Sequence, residues 1–420
     1  MHYDVAIIGL GYVGLPLARE AVHEGMRVGG LDLNAGLVES LRAGRSHVDD
    51  IPDADIDDML ARGFVPTTDE TMLKDASVII ICVPTPLSED GTPDLRAVVG
   101  ATEAIERNIS AGTLVILEST TYPGTTEEIL LPMIEASGKR SVGKDFHLAF
   151  SPERVDPGNK TFGTKNTPKV VGGVTEACTA RAVEFYSRIV DTVVPASGTR
   201  EAETAKLLEN TYRHVNIALV NEMLRFCHEL DIDLWEVIRL ASTKPFGFQA
   251  FYPGPGVGGH CIPIDPNYLS YSVQTRLGYP FKFVELAQEI NASMPGYVAR
   301  RAQDILNGDR LAVNGASILL LGVTYKPNIA DQRESPSVDV AQALIALGAE
   351  VSYHDPFVKS WTSGGLRLDS VDDLDTTVSD ADIVVLLQHH DEYDADALAQ
   401  RAKRFLDTRG VTRGGTAHRL

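Results

Sequence analysis

Val5-Ala6-Ile7-Ile8-Gly9-Leu10-Gly11-Tyr12-Val13-Gly14 decides the fold of this chain. The residues before Gly9 read as a strand buried on both faces of a parallel sheet. Three glycines follow in G-x-G-x-x-G spacing, and residues 15–24 read as a helix. A second strand at 27–31 ends in Asp32, 18 residues beyond Gly14. Each part has a physical role. Gly9 permits the tight turn, Gly11 lets backbone reach a pyrophosphate, and Gly14 lets helix and strand pack closely. The helix N-terminus adds amides and positive dipole. Asp32 is placed to accept from adenosine ribose hydroxyls and to repel a 2′-phosphate. The expected cofactor is therefore NAD rather than NADP. FAD is the lesser alternative, and a strand–helix turn without a ligand is the bland one.

Outward from this motif the chain keeps alternating. Strands are expected at 77–83, ending in Pro84-Thr85-Pro86; at 114–117, ending in Glu118-Ser119-Thr120; and at 147–150, leading into Ser151-Pro152-Glu153-Arg154. Ligands bind at the carboxyl ends of such strands. Thr85 and Thr120 are candidate liners, with helix cap or turn residue the equal alternative. Cys82, inside an apolar run, reads as a core residue. Residues 201–230 read as one long helix, with Leu207, Leu208, Thr211, Val215, Leu219 and Met223 at helical spacing. Lys206 and Asn210, four apart, share a face. A lysine on a helix is ordinarily solvated, and Glu203 or Glu209 would ordinarily be surface partners for bases.

A further helical stretch at 283–306 suits a connector or dimer-forming helix, with a break expected at Pro295-Gly296. Strands at 318–321, 350–353 and 383–387 then flank a helix at 338–347. This predicts a second doubly wound domain. It lacks a full G-x-G-x-x-G, so it should bind something other than the dinucleotide. Lys326 ends its first strand; Arg333 follows in Asp331-Gln332-Arg333-Glu334-Ser335-Pro336. Both suit a phosphate-bearing substrate or are surface charges. The polar tail after Asp407-Thr408-Arg409 is expected to fray.

Composition removes several classes. The chain has 420 residues, net charge -20 and 44% hydrophobic residues. That length calls for two or three domains. The charge argues against nucleic-acid binding, which needs a basic surface. No apolar run is long enough to span a membrane, and no secretory leader is read at the N-terminus. The acidic stretch from Asp49-Asp50 to Asp57-Asp58 reads as a solvated loop and helix start. Cys82, Cys178, Cys227 and Cys261 are spaced 96, 49 and 34 apart. These spacings fit no zinc site or disulfide framework, so no metal is expected and a reducing cytoplasm is the natural compartment.

Gly254-Pro255-Gly256-Val257-Gly258-Gly259-His260-Cys261-Ile262-Pro263-Ile264-Asp265 is the second decisive stretch. Cys178 and Cys227 lie in helical segments, but Cys261 follows glycines and prolines. Such a loop brings backbone amides close to a ligand and presents a thiol. Accessibility is what separates a reactive cysteine from a packed one. A nucleophilic thiol beside an NAD domain suggests aldehyde oxidation through a thiohemiacetal and a thioester. His260 invites a Cys–His dyad, but neighbours in an extended loop point apart, so a loop role is favoured.

These motifs together resemble the UDP-glucose/GDP-mannose dehydrogenase superfamily, the nucleotide-sugar 6-dehydrogenases. The matches run in order: residues 9–16, Val83-Pro84-Thr85-Pro86, Ser151-Pro152-Glu153-Arg154, the Lys206/Asn210 helix, the cysteine loop and Tyr325-Lys326-Pro327 with 331–336. The resemblance covers nearly the whole chain. It implies two doubly wound α/β domains joined by a central helical region. The expected boundaries are 1–197 for the NAD domain, 198–308 for the helical dimerisation and catalytic region, and 309–420 for the nucleotide-sugar domain. It implies two oxidations at C6 of a UDP-sugar, alcohol to carboxylate, with two NAD reduced. Cys261 would be the nucleophile. Lys206, with a water near Thr120, Asn210 and Asp265, would manage proton and oxyanion charge. Glu153 would be the general base, a role left open between it and Asp265. Cofactor contacts would come from Gly9, Gly11, Tyr12, Val13, Gly14, Asp32, Pro84, Thr85, Thr120 and Arg333, the last alternatively joining the domains. Substrate contacts would come from Glu153, Arg154, Lys206, Asn210, Phe251, Tyr252, Gly256, Gly258, Gly259, Cys261 and Lys326. A homodimer is implied.

The sugar is read from Thr243-Lys244-Pro245-Phe246-Gly247-Phe248 with residues 251–256, which resemble the UDP-N-acetylhexosamine branch. UDP-N-acetylglucosamine or a close relative is the expected substrate, and UDP-glucose the alternative. A single-step β-hydroxyacid dehydrogenase would not need Cys261. A non-catalytic NAD or nucleotide-sugar sensor would not need Cys261, Lys206 and Glu153 together.

Overall fold

The computed structural model describes residues 2–48, 51–88, 91–155, 159, 161–259 and 262–420. The chain divides into two compact units. The first comprises Met1–Glu209 and Asn267–Tyr279; the second comprises Asn210–Pro266 and Pro280–Leu420.

The first unit is built on an eight-stranded sheet. Its strands are β1 (Tyr3–Ile8), β2 (Val28–Leu31), β3 (Val65–Thr67), β4 (Ala76–Ile81), β5 (Leu114–Leu117), β6 (His147–Phe150), β7 (Lys169–Gly173) and β8 (Val193–Pro195). Their order is β3-β2-β1-β4-β5-β6-β7-β8, reversing direction of growth at β1. Ile7, Ile80 and Ile116 enter one buried cluster, while Ile8, Ile79, Ile81, Val115 and Leu117 enter the other. Alternate side chains thus fill cores on opposite faces, which is why these strands read as unbroken apolar runs. The pairs from β3 to β6 are parallel, but β7 runs antiparallel to β6, with Phe150 opposite Gly172. The start of β7 therefore lies at the carboxyl edge of β6. This brings Lys169 to the edge where ligands bind in such folds.

The second unit repeats the design. Its strands are β9 (Ser317–Leu321), β10 (Glu350–His354), β11 (Ser360–Trp361), β12 (Leu368–Asp369), β13 (Ile383–Leu386), β14 (Phe405–Asp407) and β15 (His418–Arg419). The parallel sheet has the order β10-β9-β13-β14-β15, and β11 pairs antiparallel with β12 as a separate ribbon. Ile318 and Leu320 pack into one core, Leu319 and Leu321 into the other.

The predicted long helix is Thr199–Glu229, 31 residues, and the division between units falls within it. Val220, Leu224 and Cys227 on this helix share a core with Val298, Ala302 and Ile305 of the helix Met294–Gly308. That helix is separated from Lys282–Ala292 at Ser293. The break thus precedes Pro295-Gly296, because proline fits the first turn of a helix, where its missing N–H is not needed. Asp53 and Asp55 occupy the first turn of a short helix, Asp53–Ala61. Asp49 and Asp50 lie outside the described residues.

The C-terminal tail corrects the expectation of fraying. His418 and Arg419 extend the second sheet beside Leu406 and Asp407, and Leu420 is 2% exposed. The Leu420 N–H donates to the Asp407 carbonyl at 3.1 Å, and the Arg419 guanidinium donates to Asp233. An apolar terminal residue and a paired strand edge outweigh the polar composition that preceded them. Deleting residues 418–420 is expected to destabilise the second unit by about 2 kcal/mol, the value of one buried leucine. Denaturant unfolding followed by fluorescence of Trp235 and Trp361 checks this; an unchanged midpoint would show the edge strand to be dispensable.

Candidate active site

The glycine loop after β1 divides into packing and binding positions. A Cβ on Gly9 would lie 2.6 Å from the Cys82 carbonyl oxygen, and one on Gly14 would lie 1.9 Å from the Gly9 carbonyl oxygen. Both are excluded by close backbone approach. Gly11 has no heavy atom within 4 Å of the corresponding point, so its missing side chain leaves open space above the loop. Asp32 closes the arrangement: Oδ2 accepts the Leu10 N–H and Oδ1 the Asn34 N–H, both at 2.9 Å. Each oxygen keeps a lone pair for a ribose hydroxyl. An open backbone cradle at a helix N-terminus, with a carboxylate at the end of β2, fits NAD. Tyr12 is exposed, while Val13 packs against the core. Pro84 is exposed, and the Thr85 carbonyl accepts from the Tyr268 hydroxyl at 2.9 Å.

Beyond β5 and β6 the first unit holds a buried ionic cluster. Lys169 Nζ lies 3.1 Å from Glu118 Oε1 and 3.1 Å from Glu153 Oε2. Their side chains are 6%, 0% and 14% exposed. The Tyr186 hydroxyl donates to Glu118 Oε1. Glu153 Oε1 accepts the N–H groups of Arg154 at 2.8 Å and Val155 at 2.7 Å. Burial acts to raise the Glu153 pKa, but Lys169, the Val155 N–H and Lys206 outweigh it and hold the carboxyl below its usual range. Glu118 is shifted the other way by its deeper burial, which Lys169 does not fully offset. Burial opposes the Lys169 charge, yet the two carboxylates raise its pKa above the ordinary lysine range. Cys82 is buried, and burial pushes its thiol up, as expected for an unreactive core thiol.

The long helix contributes two buried ionisable groups to the first unit. Lys206 is 9% exposed and donates to the Thr120 hydroxyl, so the ordinary solvated reading of this lysine does not hold. Glu203, one turn earlier, is 1% exposed and accepts from the Gly124 N–H, the Thr126 N–H and the Thr126 hydroxyl. It is not surface decoration: it fastens the helix to the segment after Thr120. Burial raises its pKa to about 6 against those three donors. Arg154 pairs with Glu209 through two hydrogen bonds, of 3.1 and 2.7 Å, and gives a third to the Pro168 carbonyl.

In the second unit Asn210 Nδ2 donates to Asp265 Oδ2 at 2.6 Å, and both residues are buried. The Gly254 N–H donates to Asn221 Oδ1, and Asn221 is in turn bonded to Asn291. The later glycines of this loop are closely packed. A Cβ on Gly258 would lie 2.6 Å from the Glu334 carbonyl oxygen, and one on Gly259 would lie 2.8 Å from the Tyr325 ring. A Cβ on Gly256 would lie 2.9 Å from Pro336. These glycines join the cysteine loop to the 325–336 segment, a packing role that sequence alone did not reveal. Phe251 stacks edge-on with Tyr212, and Tyr252 is exposed. Lys326 is half-buried in the loop after β9, and Arg333 is bonded to Asp331 in its own loop. His260 and Cys261 lie outside the described residues.

Sequence reasoning passed over Lys169, Tyr186, Asn221 and Arg409. Arg409, just after β14, donates from Nε to the Leu387 carbonyl, and its Nη1 approaches Gly254. Burial lowers its pKa to about 10. The available signal was a cation abutting an apolar strand: Lys169 heads Val170-Val171, and Arg409 follows Phe405-Leu406. Among the described residues no cluster of His, Cys, Asp and Glu could hold a metal ion.

The glycine geometry makes a paired prediction. Gly11→Ala should fold normally and lose NAD affinity by about tenfold or more, because the methyl occupies ligand space. Gly14→Ala should lose stability first, because the methyl meets backbone. Thermal unfolding with and without NAD separates them; equal NAD-induced stabilisation of Gly11→Ala and the unsubstituted protein would refute the assignment.

Comparison with known proteins covers most of the chain. Models of the UDP-glucose/GDP-mannose dehydrogenase family match as NAD binding domain over residues 3–190, central domain over 200–293 and UDP binding domain over 319–414. A UDP-N-acetyl-D-mannosamine dehydrogenase of Methanococcus maripaludis is 33% identical over 428 residues, covering 98% of this chain and 94% of that protein. A UDP-N-acetyl-D-glucosamine 6-dehydrogenase of Pseudomonas aeruginosa is 36% identical over 357 residues, covering 85% and 83%. The solved UDP-D-ManNAc dehydrogenase from Pyrococcus horikoshii superposes with a TM-score of 0.89 at 31% identity, covering 99% of this chain and 98% of that one. The chain belongs to the UDP-glucose/GDP-mannose dehydrogenase family of NAD-dependent oxidoreductases.

Proposed function

We propose that this enzyme oxidises the C6 hydroxyl of a UDP-N-acetylhexosamine to the carboxylate in two steps, with UDP-N-acetylglucosamine as the first substrate to test. The observation that carries the reading is the pair of buried contacts one helical turn apart, Lys206 with Thr120 and Asn210 with Asp265. Ionisable and amide groups are rarely buried on a helix unless paired or used. Their residue types suit an oxygen that loses a proton and then gains negative charge.

The roles follow from this chemistry. NAD, when bound, accepts a hydride in each of the two oxidations. Gly11 and Asp32 hold it through its pyrophosphate and ribose. The C6 hydroxyl passes its proton to a water held near Thr120, Asn210 and Asp265 as the aldehyde forms, and the Lys206 ammonium stabilises the developing alkoxide. The Cys261 thiolate adds to the aldehyde carbon, and the resulting oxyanion takes a proton as a thiohemiacetal. Loss of hydride from that carbon, and of the hydroxyl proton to water, leaves a thioester. Glu153, ionised, removes a proton from the attacking water; the carbon–sulfur bond breaks and the thiol is restored. Asp265 orients Asn210 toward the oxyanion. Lys326 meets the diphosphate of the sugar nucleotide.

The acyl group at C2 is argued from the resemblance of residues 243–256 and from relatives whose names specify N-acetylmannosamine or N-acetylglucosamine. A homodimer is supported by exposed apolar residues in the second unit: Tyr212, Leu219 and Phe226, seven apart on the long helix, with Phe283 and Leu286. No helix among the described residues is long and apolar enough to cross a membrane. Cys82, Cys178 and Cys227 are free thiols, in keeping with a cytoplasmic enzyme.

The test is a substrate panel of UDP-N-acetylglucosamine, UDP-N-acetylmannosamine, UDP-glucose and GDP-mannose, following NADH. Two NADH per sugar are expected from a UDP-N-acetylhexosamine, with Cys261→Ser retaining NAD binding and losing turnover. One NADH per sugar would favour a single-step dehydrogenase. A preference for UDP-glucose would overturn the C2 assignment, and no turnover of any sugar would favour a sensor.

A further inference from the structure

We propose that Lys169 is a positioning residue for the oxidation, fixing the orientation and ionisation of Glu153, with Glu118 and Tyr186 as its rigid backing. The inference rests on the reading of Glu153 as the base in thioester hydrolysis.

The geometry carries it. Glu153 follows β6 in an irregular segment, where a glutamate side chain has several rotamers. Here both its oxygens are engaged: Oε1 by two consecutive backbone N–H groups, Oε2 by Lys169 Nζ at 3.1 Å. Lys169 is itself immobilised. Its second carboxylate, Glu118, is 1% exposed and receives the Tyr186 hydroxyl, and its ammonium lies 5.3 Å from the Tyr186 ring centroid. The cluster draws on the ends of β5 and β6, the start of β7 and the helix Glu176–Tyr186. Cys82, just after β4, and Lys206 on the long helix also act on it electrostatically. The antiparallel turn of β7 is what lets its first residue reach this edge. A mere strut between strands would need one carboxylate. The second, Glu153, is the less buried of the two and is the one already placed in the chemistry.

A positioning role and a structural role differ in pH dependence. A base that works ionised loses activity as pH falls through its pKa. Removing the Lys169 cation leaves burial as the largest influence on Glu153, which raises that pKa. In Lys169→Gln the acid limb of kcat should therefore move upward by about one pH unit or more. NAD affinity should stay within roughly twofold, because Lys169 is not among the groups placed on the dinucleotide. Lys169→Arg keeps the cation and should restore the limb to its original position. If Lys169→Gln folds and binds NAD but its acid limb does not move, Lys169 is structural and the proposal falls. Should Lys169→Gln fail to fold, Glu118→Gln reads the same link with opposite sign. It removes a competing anion, so the limb should move to lower pH; no movement, or a rise, would overturn the proposal. Glu153→Gln separates the two readings. Full turnover in that variant removes Glu153 from the chemistry altogether. Loss of turnover there, with an unmoved limb in Lys169→Gln, sinks only the role of Lys169.

Discussion

An ammonium group shielded from water persists in a protein only beside compensating charge, and the Lys169 site meets that requirement with two carboxylates. Removing one member of such a buried set typically costs about 3–5 kcal/mol, because the remaining charge stays buried without its partner. Replacing the whole set by apolar groups of similar volume is often neutral or stabilising. Stability alone therefore does not account for an ionic cluster at the carboxyl edge of a dinucleotide-binding sheet. A functional carboxylate would: the proposed base, Glu153, works ionised and held still, and a buried cation with an independent anchor achieves both. Glu118 and Tyr186 supply that anchor from the neighbouring strand end and helix.

The same economy of position governs the glycines. Of the three in the nucleotide loop, two are required by backbone contact within the protein and one leaves space. The glycines of the cysteine loop serve a different end. Gly256, Gly258 and Gly259 have no room for a side chain because Tyr325, Glu334 and Pro336 press against them. Two motifs more than sixty residues apart in sequence thus form one packed surface in the second unit. The glycines before the proposed nucleophile are packed by the loop that carries Lys326. A substitution at Tyr325 or Pro336 would therefore disturb the packing of Gly256, Gly258 and Gly259.

The architecture was legible because its signals are local. Apolar runs bounded by turns marked β1, β5, β6 and β9, and the glycine spacing with Asp32 marked the nucleotide loop. Lys206 and Asn210 were found by helical spacing, although their burial was not, since a lysine on a helix face carries no local mark of its partner Thr120. What escaped were features that depend on strand direction or distant contact. Nothing in Lys169-Val170-Val171 tells that β7 runs against β6, and the direction alone decides which edge the lysine reaches. Glu203 read as a surface acid because its three donors come from a segment some eighty residues earlier. The C-terminal strand was hidden by its polar residues, since edge pairing uses backbone rather than side chains.

The long helix joins these observations in an unusual polarity. Glu203, Lys206, Asn210, His214 and Asn221 recur at three-, four-, four- and seven-residue intervals, the spacing of a buried face, and all are buried. Tyr212, Leu219 and Phe226 repeat every seven residues on exposed ground. In an isolated soluble helix the two sets would be exchanged. The buried members hydrogen-bond to several segments: Glu203 to residues 124–126, Lys206 to Thr120, Asn210 to Asp265, Asn221 to Gly254 and Asn291, and His214 to Asn291. His214, lowered by burial to about 4, remains neutral among them. The helix thus buries polar groups beside the apolar Leu207, Val220, Leu224 and Cys227, and the polar ones carry the contacts to other segments. A second, apolar stripe faces outward, and its three large side chains at seven-residue spacing are what a second copy of the same helix would bury in the proposed dimer. One helix thus serves both proposals, its buried polar groups the site and its exposed apolar stripe the dimer.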